Sequence, residues 1–317
     1  MASNLSDLAL KIGSGLLSFP VTPFSSDGQR VDLDTFASHI QWLSSYPAAA
    51  LFVAGGTGEF FSLSPDEVSQ VVKTAKQVSG STPIIAGSGY GTPLAIDLAK
   101  RAEAAGADAV LLLPQYLVTA EQEGLFQHIK RVCQSVSIGV IVYARDNCIL
   151  QPSTVARLAE ACPNLIGYKD GVGDVELMTR ISVTLGNRLT YIGGMPTAEV
   201  YAKGLLQAGV TTYSSAVYNF VPELALDFHR ALLSGNTARV DHLLRTFYYP
   251  LIDLRNRRKG YAVSIVKAGL RVVGRDSGPV RAPITDLTDG EHDELRHLID
   301  KGMAELRKPA DLSDVLV

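Results

Sequence analysis

The strongest constraint on the fold is an alternation that runs along most of the chain. Short apolar runs rich in β-branched residues recur roughly every 25–35 residues, at 15–19, 49–54, 83–87, 109–114, 138–143, 164–169, 189–194 and 210–215. Each is too continuous for a strand with one wet face and reads as a parallel strand covered on both sides. Helical signals fill the stretches between. Ser64-Pro65-Asp66-Glu67 is a capping box with Pro in the first turn, flanked by Leu63 and Val68 at the staple positions. Val68, Val71, Val72, Ala75 and Val78 follow the helical period, as do Leu94, Leu98, Ala102 and Ala105, and then Val175, Met178, Ile181 and Leu185. Eight strand–helix units with right-handed crossovers close into an α/β fold, the (β/α)8 TIM barrel. An open doubly wound sheet is the alternative, but its GxGxxG turn is absent after the first run.

Residues 236–307 read as helical throughout, with no ninth strand, which predicts a C-terminal helical extension beside the barrel. No Ser/Gly/Pro-rich linker precedes it, so 1–317 reads as a single domain: barrel about 15–235, extension about 236–317. The length of 317 residues suits this, because α/β barrels run as one domain of roughly 250 residues or more. A net charge of −3 provides no basic face for nucleic acid. Cys133, Cys148 and Cys162 form no CxxC pair, which argues against a disulfide framework and a zinc ribbon. The opening MASNLSDLALKIGSGLL lacks the pattern of a signal peptide, and no run approaches the ~20 apolar residues of a membrane span. The expectation is a cytoplasmic enzyme with no membrane or nucleic-acid partner.

Barrels of this type gather their chemistry at the C-terminal strand ends. There the sequence places Gly55-Gly56-Thr57-Gly58-Glu59, Pro114-Gln115-Tyr116, Tyr143-Ala144-Arg145-Asp146-Asn147, Lys169-Asp170-Gly171, Gly193-Gly194-Met195-Pro196, and Ser214-Ser215 with Asn219 nearby. Lys169 is the most informative. At the end of an apolar strand, burial disfavours its ammonium, and a neutral amine can add to a ketone to make an iminium, an electron sink. It can also be read as a strand-end lysine paired with Asp170 or Glu59. Tyr143 on the preceding strand could move protons, or simply pack. GGTGE is either a carboxylate cradle of N–H groups with the Thr57 hydroxyl or merely a tight glycine turn. The basic run Arg255-Asn256-Arg257-Arg258-Lys259 reads as a solvated helix face or an interface, with no chemistry assigned. The six histidines form no metal-spaced cluster near the strand ends, so no metal site is expected.

Phe19-Pro20-Val21-Thr22-Pro23-Phe24, GGTGE followed by Leu63-Ser64-Pro65-Asp66-Glu67, Tyr143 one strand before Gly167-Tyr168-Lys169-Asp170, and Gly278-Pro279-Val280-Arg281-Ala282-Pro283 stand in a recognisable order. Over about 15–287 the chain resembles the dihydrodipicolinate synthase / N-acetylneuraminate lyase family. The resemblance implies that Lys169 is a Schiff-base lysine and Tyr143 an acid/base tyrosine. It implies that Thr57, with the backbone of Gly56 and Gly58, holds a keto-acid carboxylate. Tyr116 would belong to a proton relay reached from a neighbouring subunit in some members, and the assembly would be a homo-oligomer, a dimer or tetramer.

The departures from the family bear on substrate. Paired threonines appear as Gly56-Thr57, Phe60 replaces a small polar residue, and paired tyrosines appear as Gln115-Tyr116. The loop after Tyr143 is short, and the synthase's arginine for the distal carboxylate has no counterpart at its usual place. YARDNCIL, GEFFSLSPDE, YKDGVGD and TTYSSAVYNFVPELALDFH look instead like one branch of the family, which acts in glucarate and galactarate breakdown. Those lyases remove water and CO2 from a keto-deoxy sugar diacid. This implies a small-molecule sugar-acid substrate, and no cofactor, because one iminium serves both steps. The substrate's hydroxyls and distal carboxylate would reach Gly194, Ser214, Ser215, Asn219 and Arg145. Arg145 can also be read as loop scaffolding paired with Asp146 or Asp170. An aldolase of the same family releasing pyruvate, a non-catalytic keto-acid-binding barrel and a phosphate-binding barrel stand as the alternatives.

Overall fold

The computed structural model describes residues 2–306. Eight parallel strands close in sequence order into a barrel: β1 (Leu17–Ser18), β2 (Ala50–Val53), β3 (Ile84–Ser88), β4 (Ala109–Leu112), β5 (Gly139–Ala144), β6 (Leu165–Asp170), β7 (Thr190–Gly193) and β8 (Thr212–Ser215), with β8 pairing back onto β1. Each strand coincides with one of the apolar runs, with β3, β5 and β6 reaching one residue beyond it. Side chains alternate between two cores, as the pleat requires, except at a bulge in β6, where Ile166 faces the interior and Tyr168 the helices. Ala50, Phe52, Ile85, Leu111, Ile141 and Ile192 fill the barrel interior, whereas Leu51, Val53, Val110, Val142 and Tyr191 face the surrounding helices.

The first helix, α1 (Ala2–Gly13), was not anticipated. It lies across the N-terminal end of the barrel, where Leu5, Leu8, Ala9 and Ile12 join the interior core and Thr190 at the start of β7 donates to the Ala9 carbonyl at 2.8 Å. The outer layer is α2 (Leu33–Ser44), α3 (Pro65–Val78), α4 (Thr92–Ala104), α5 (Gln122–Cys133), α6 (Pro152–Ala161), α7 (Val175–Leu185), α8 (Glu199–Gln207) and α9 (Pro222–Leu233). The Ser64–Glu67 capping box forms in both directions, at 3.2 and 2.9 Å, and a cap of this kind is worth about 1 kcal/mol. Leu94 and Val175 are exposed, contrary to the helical pattern. Each sits in the first turn of its helix, and the buried face of α4 is carried by Ala95, Leu98, Ala99 and Ala102.

The extension comprises α10 (Thr237–Leu243), a π-helical turn Leu244–Tyr248, α11 (Tyr249–Arg255), α12 (Tyr261–Val272) and α13 (Asp289–Glu305); residues 307–317, which the sequence reading included in it, lie outside the described residues. It is not helical throughout. Residues 273–288 form an irregular segment, broken by Gly274 and Gly278 at positive φ and by Pro279 and Pro283. That segment carries Gly278–Pro283 back to the barrel mouth. Leu251, Val266 and Ile299 of the extension belong to the same core as Val53 and Val110 of the barrel.

Candidate active site

Strand pairing sets Tyr143 of β5 directly beside Lys169 of β6, both pointing inward near the C-terminal end. The Lys169 side chain is 2% exposed and Tyr143 6%. Tyr143 Oη donates to the Gly194 carbonyl at 2.7 Å, and Lys169 Nζ donates to the same oxygen at 3.2 Å. Lys169 Nζ also lies 3.7 Å from the centre of the Tyr143 ring and 4.9 Å from that of Phe19. Glycine is required at 194, since a Cβ there would collide with the Lys169 amine and with the Asp170 carbonyl.

Burial pushes the Lys169 amine below its ordinary range, opposed by the neighbouring Tyr143. Burial alone would raise the Tyr143 phenol, but the charges of Lys169 and Arg145 outweigh it and bring the phenol below its usual value. Both shifts are downward, so each group gives up its proton more readily than an exposed counterpart. Among the described residues no acid forms an ion pair with the amine. Asp170 spends its carboxylate on the N–H groups of Val172 and Gly173, and Glu59 is ion-paired elsewhere, with Lys267 of α12 at 2.8 Å. A buried amine of lowered basicity next to a phenol is suited to imine formation and proton transfer at carbon.

The pair opens into a cavity of about 530 Å³, also lined by Gly56, Thr57, Tyr116, Arg145, Gly194 and Ser214. In the loop after β2, the Glu59 and Phe60 N–H groups close a turn onto the carbonyls of Gly56 and Gly55. No hydrogen bond among the described residues engages the Thr57 hydroxyl. Gly58 lies beneath this surface, its carbonyl accepting from Thr22 at 2.7 Å. Below the loop, Glu59 holds Lys267 with one oxygen and accepts from the Arg281 N–H at 2.9 Å with the other, tying the loop to α12 and to the Gly278–Pro283 segment.

Besides Gly58, two expected residues are not brought to the cavity. Ser215 faces outward, because its neighbour Ser214 faces inward, and its hydroxyl donates to Glu199 of α8 at 2.6 Å. The Asn219 amide is wholly used in linking β1 to α2, accepting from the Val21 N–H and facing His39, and donating to the carbonyls of Phe19 and Ala216. Arg145 lines the cavity and is also held within its own loop. Its Nε meets Asp146 at 2.6 Å, its backbone bridges Cys148, and one terminal nitrogen stands 3.4 Å from Tyr143 Oη. Tyr116 sits at the rim, 67% exposed beside Tyr90. Among the described residues no group of His, Cys, Asp and Glu is arranged to hold a metal ion, and no helix is long and apolar enough to cross a membrane.

The sequence reading missed Phe19, Thr197 and Arg255. Arg255, in the run assigned no chemistry, turns into the cavity from the end of α11 and donates to Thr197 Oγ1 at 2.6 Å. Phe19 could have been found from the parity of its strand, two residues from inward-facing Leu17. Arg255 carries no such local signal.

Known proteins share this architecture. A curated relative from Rhizobium rhizogenes, named probable 5-dehydro-4-deoxyglucarate dehydratase, is 60% identical over 94% of this chain and 98% of its own length. One of the same name from Bradyrhizobium is 60% identical over 92% of this chain and 93% of its own. A crystal structure of dihydrodipicolinate synthase from Oceanobacillus iheyensis superposes with a TM-score of 0.86 at 23% identity, covering 95% of this chain and 99% of that one. A second such synthase, from Bacillus anthracis, gives 0.81 at 27% identity over 90% and 97%. The model of the dihydrodipicolinate synthetase family matches residues 13–302, and with relatives this similar the chain belongs to that family.

Proposed function

We propose that the chain is a decarboxylating dehydratase that converts 5-dehydro-4-deoxy-D-glucarate to 2,5-dioxopentanoate, CO2 and water through a Schiff base on Lys169. The observation that carries this is the in-register Lys169–Tyr143 pair buried at the floor of the cavity, in a chain 60% identical to relatives of that name. Lys169 attacks the C5 ketone, and loss of water gives an iminium that acidifies C4. Tyr143 or a nearby base takes the C4 proton, leaving an enamine. The enamine expels the C3 hydroxyl, which takes a proton from Tyr143 and departs as water. The conjugated iminium then accepts the electron pair of the C1–C2 bond as CO2 leaves. The resulting dienamine, an enol at C2, tautomerises to the aldehyde, and hydrolysis releases Lys169.

The keto-acid carboxylate rests on Gly56 and Thr57, with Gly58 shaping the turn, and Ser214 and the Gly194 backbone face the substrate's hydroxyls. Barrel and extension form one domain, as their shared core supports. The chain works as a homo-oligomer, a reading supported by the exposed apolar Tyr116, Leu117 and Val118 at the cavity rim.

Incubation with the diacid, following CO2 and 2,5-dioxopentanoate, with borohydride trapping in parallel, tests the reaction. Both products, and a reduced adduct on the peptide containing Lys169, are expected. Release of pyruvate instead would make the protein an aldolase, and a folded protein with neither adduct nor turnover would sink the Schiff-base reading.

A further inference from the structure

Three cationic side chains line the cavity, Lys169, Arg145 and Arg255, and they differ in what already neutralises them. Lys169 is the imine-forming amine of the proposed reaction. Arg145 is committed to the Asp146 carboxylate. Arg255 has no carboxylate within ion-pair distance among the described residues. Its Nε and one terminal nitrogen donate to Asn256 Oδ1 at 3.2 and 3.0 Å, and the other terminal nitrogen donates to Thr197 Oγ1 at 2.6 Å. All of these acceptors are neutral. One N–H on each terminal nitrogen is left uncommitted, the pair that a carboxylate accepts side by side.

The surroundings make an unpaired guanidinium costly. Leu251, Val263, Val266 and Ile284 line the same cavity, and the half-buried guanidinium is partly withdrawn from water without a counter-charge, which is unfavourable. Burial lowers the affinity of Arg255 for its proton, with Tyr201 and Glu199 only partly restoring it. The anchor is also firm. Thr197 follows β7 in a left-handed backbone conformation (φ 52°), so the guanidinium is braced between the loop after β7 and the end of α11.

We propose that Arg255 is the specificity-determining residue that receives the substrate's distal carboxylate, the one lost as CO2. This rests on the dicarboxylate reading above and assigns the diacid preference to the helical extension rather than to the barrel loops. The carboxylate supplies the counter-charge that Arg255 lacks among the described residues. An ion pair does not itself favour loss of CO2, since it stabilises the charged ground state. Its work is to select the diacid and to fix the direction of the C1–C2 bond against the conjugated iminium, from which the electron pair departs along the π system.

The test compares the diacid with a monoacid in which the distal carboxylate is replaced by a primary alcohol. For each, the concentration giving half-maximal borohydride trapping on Lys169 is measured in the unaltered protein and in Arg255→Ala, together with KM and kcat for the diacid. Loss of a charged hydrogen-bond pair should raise the diacid KM and trapping concentration about ten- to a hundredfold while the monoacid value stays unchanged. Arg255→Lys, which keeps the charge but not the fork, should fall between. Arg255→Gln gives the same comparison if the alanine variant does not fold. Equal weakening of both ligands would reduce Arg255 to a structural role, and no change for either would remove it from the site. If the unaltered protein traps neither ligand, the Schiff-base reading fails and this inference falls with it. If it traps both but yields no CO2, the dehydratase reading fails while the diacid–monoacid comparison still decides the role of Arg255.

Discussion

Lys169 Nζ sits 3.7 Å from the centre of the Tyr143 ring, and the two side chains converge on one acceptor, the carbonyl oxygen of Gly194. The amine is therefore held by a ring face and a neutral oxygen rather than by an acid, which leaves its lone pair accessible once the proton is gone. Lys169→Arg keeps a cation in place but cannot form an imine. It should lower kcat by more than about a thousandfold and abolish the borohydride adduct, as read by peptide mass analysis, with the melting temperature little changed.

Tyr143→Phe removes the proton carrier and leaves the amine. Turnover should fall by about a hundred- to ten-thousandfold, while trapping on Lys169 persists. An adduct lost together with turnover would mean that the ring positions the lysine more than it moves protons.

The pH dependence of trapping follows from the same pair. Burial lowers the Lys169 value and Tyr143 partly restores it, so the free amine is available at lower pH than in an exposed lysine. Trapping should rise as pH rises through that lowered value. In Tyr143→Phe the restoring contribution is gone, so the rise should move to still lower pH. A midpoint in the ordinary lysine range would contradict the electrostatic account.

Much of this site was legible because a lysine inside a doubly covered strand is an anomaly that periodicity exposes. All eight apolar runs hold strands for the same reason: parallel strands buried on both faces leave no polar alternation to confuse them. What stayed hidden needed contacts between distant segments. Arg255 lies 86 positions after Lys169 in the numbering and reaches the cavity only because α11 packs across the barrel mouth. Ser215 and Asn219 were singled out by nearness to a strand end, although the pleat already implied that only one of Ser214 and Ser215 could face inward.

Glu59 and Lys267 are both fully buried and meet at 2.8 Å. Glu59→Gln should strand the Lys267 charge and cost about 3–5 kcal/mol in denaturant unfolding, and it should raise KM through the adjoining Thr57 loop. Replacing both residues, as Glu59→Gln with Lys267→Met, should restore much of the stability. If the double variant is no better than the single one, the pair contributes by its hydrogen bonds to Arg281 and Pro279 and not by charge balance.

Glu199 is buried behind β8 and its carboxyl is pushed up to about 7 by burial, the Ser215 hydroxyl partly opposing this. The folded protein thus binds this proton more tightly than the unfolded chain, whose value is near 4.5. Its stabilising contribution is complete below that value and is lost as pH rises toward 7, by at most about 3 kcal/mol. Glu199→Gln should flatten this part of the stability profile, measured by denaturant melts between pH 4 and 8. An unchanged slope would show that another group is responsible.

The helix α1 laid across the far end of the barrel has a consequence for traffic. With Leu5, Leu8 and Ile12 closing that end and Phe52, Ile85 and Ile141 filling the interior, the reaction chamber opens on the opposite side, where Lys169 and Tyr143 stand. On the proposed reaction, the expelled water and then CO2 must leave past the dienamine still tethered to Lys169, and the water that hydrolyses that tether must enter by the same route. The order of departure is thus built into the architecture: the two small products go first, and the five-carbon aldehyde acid, freed only by hydrolysis, goes last.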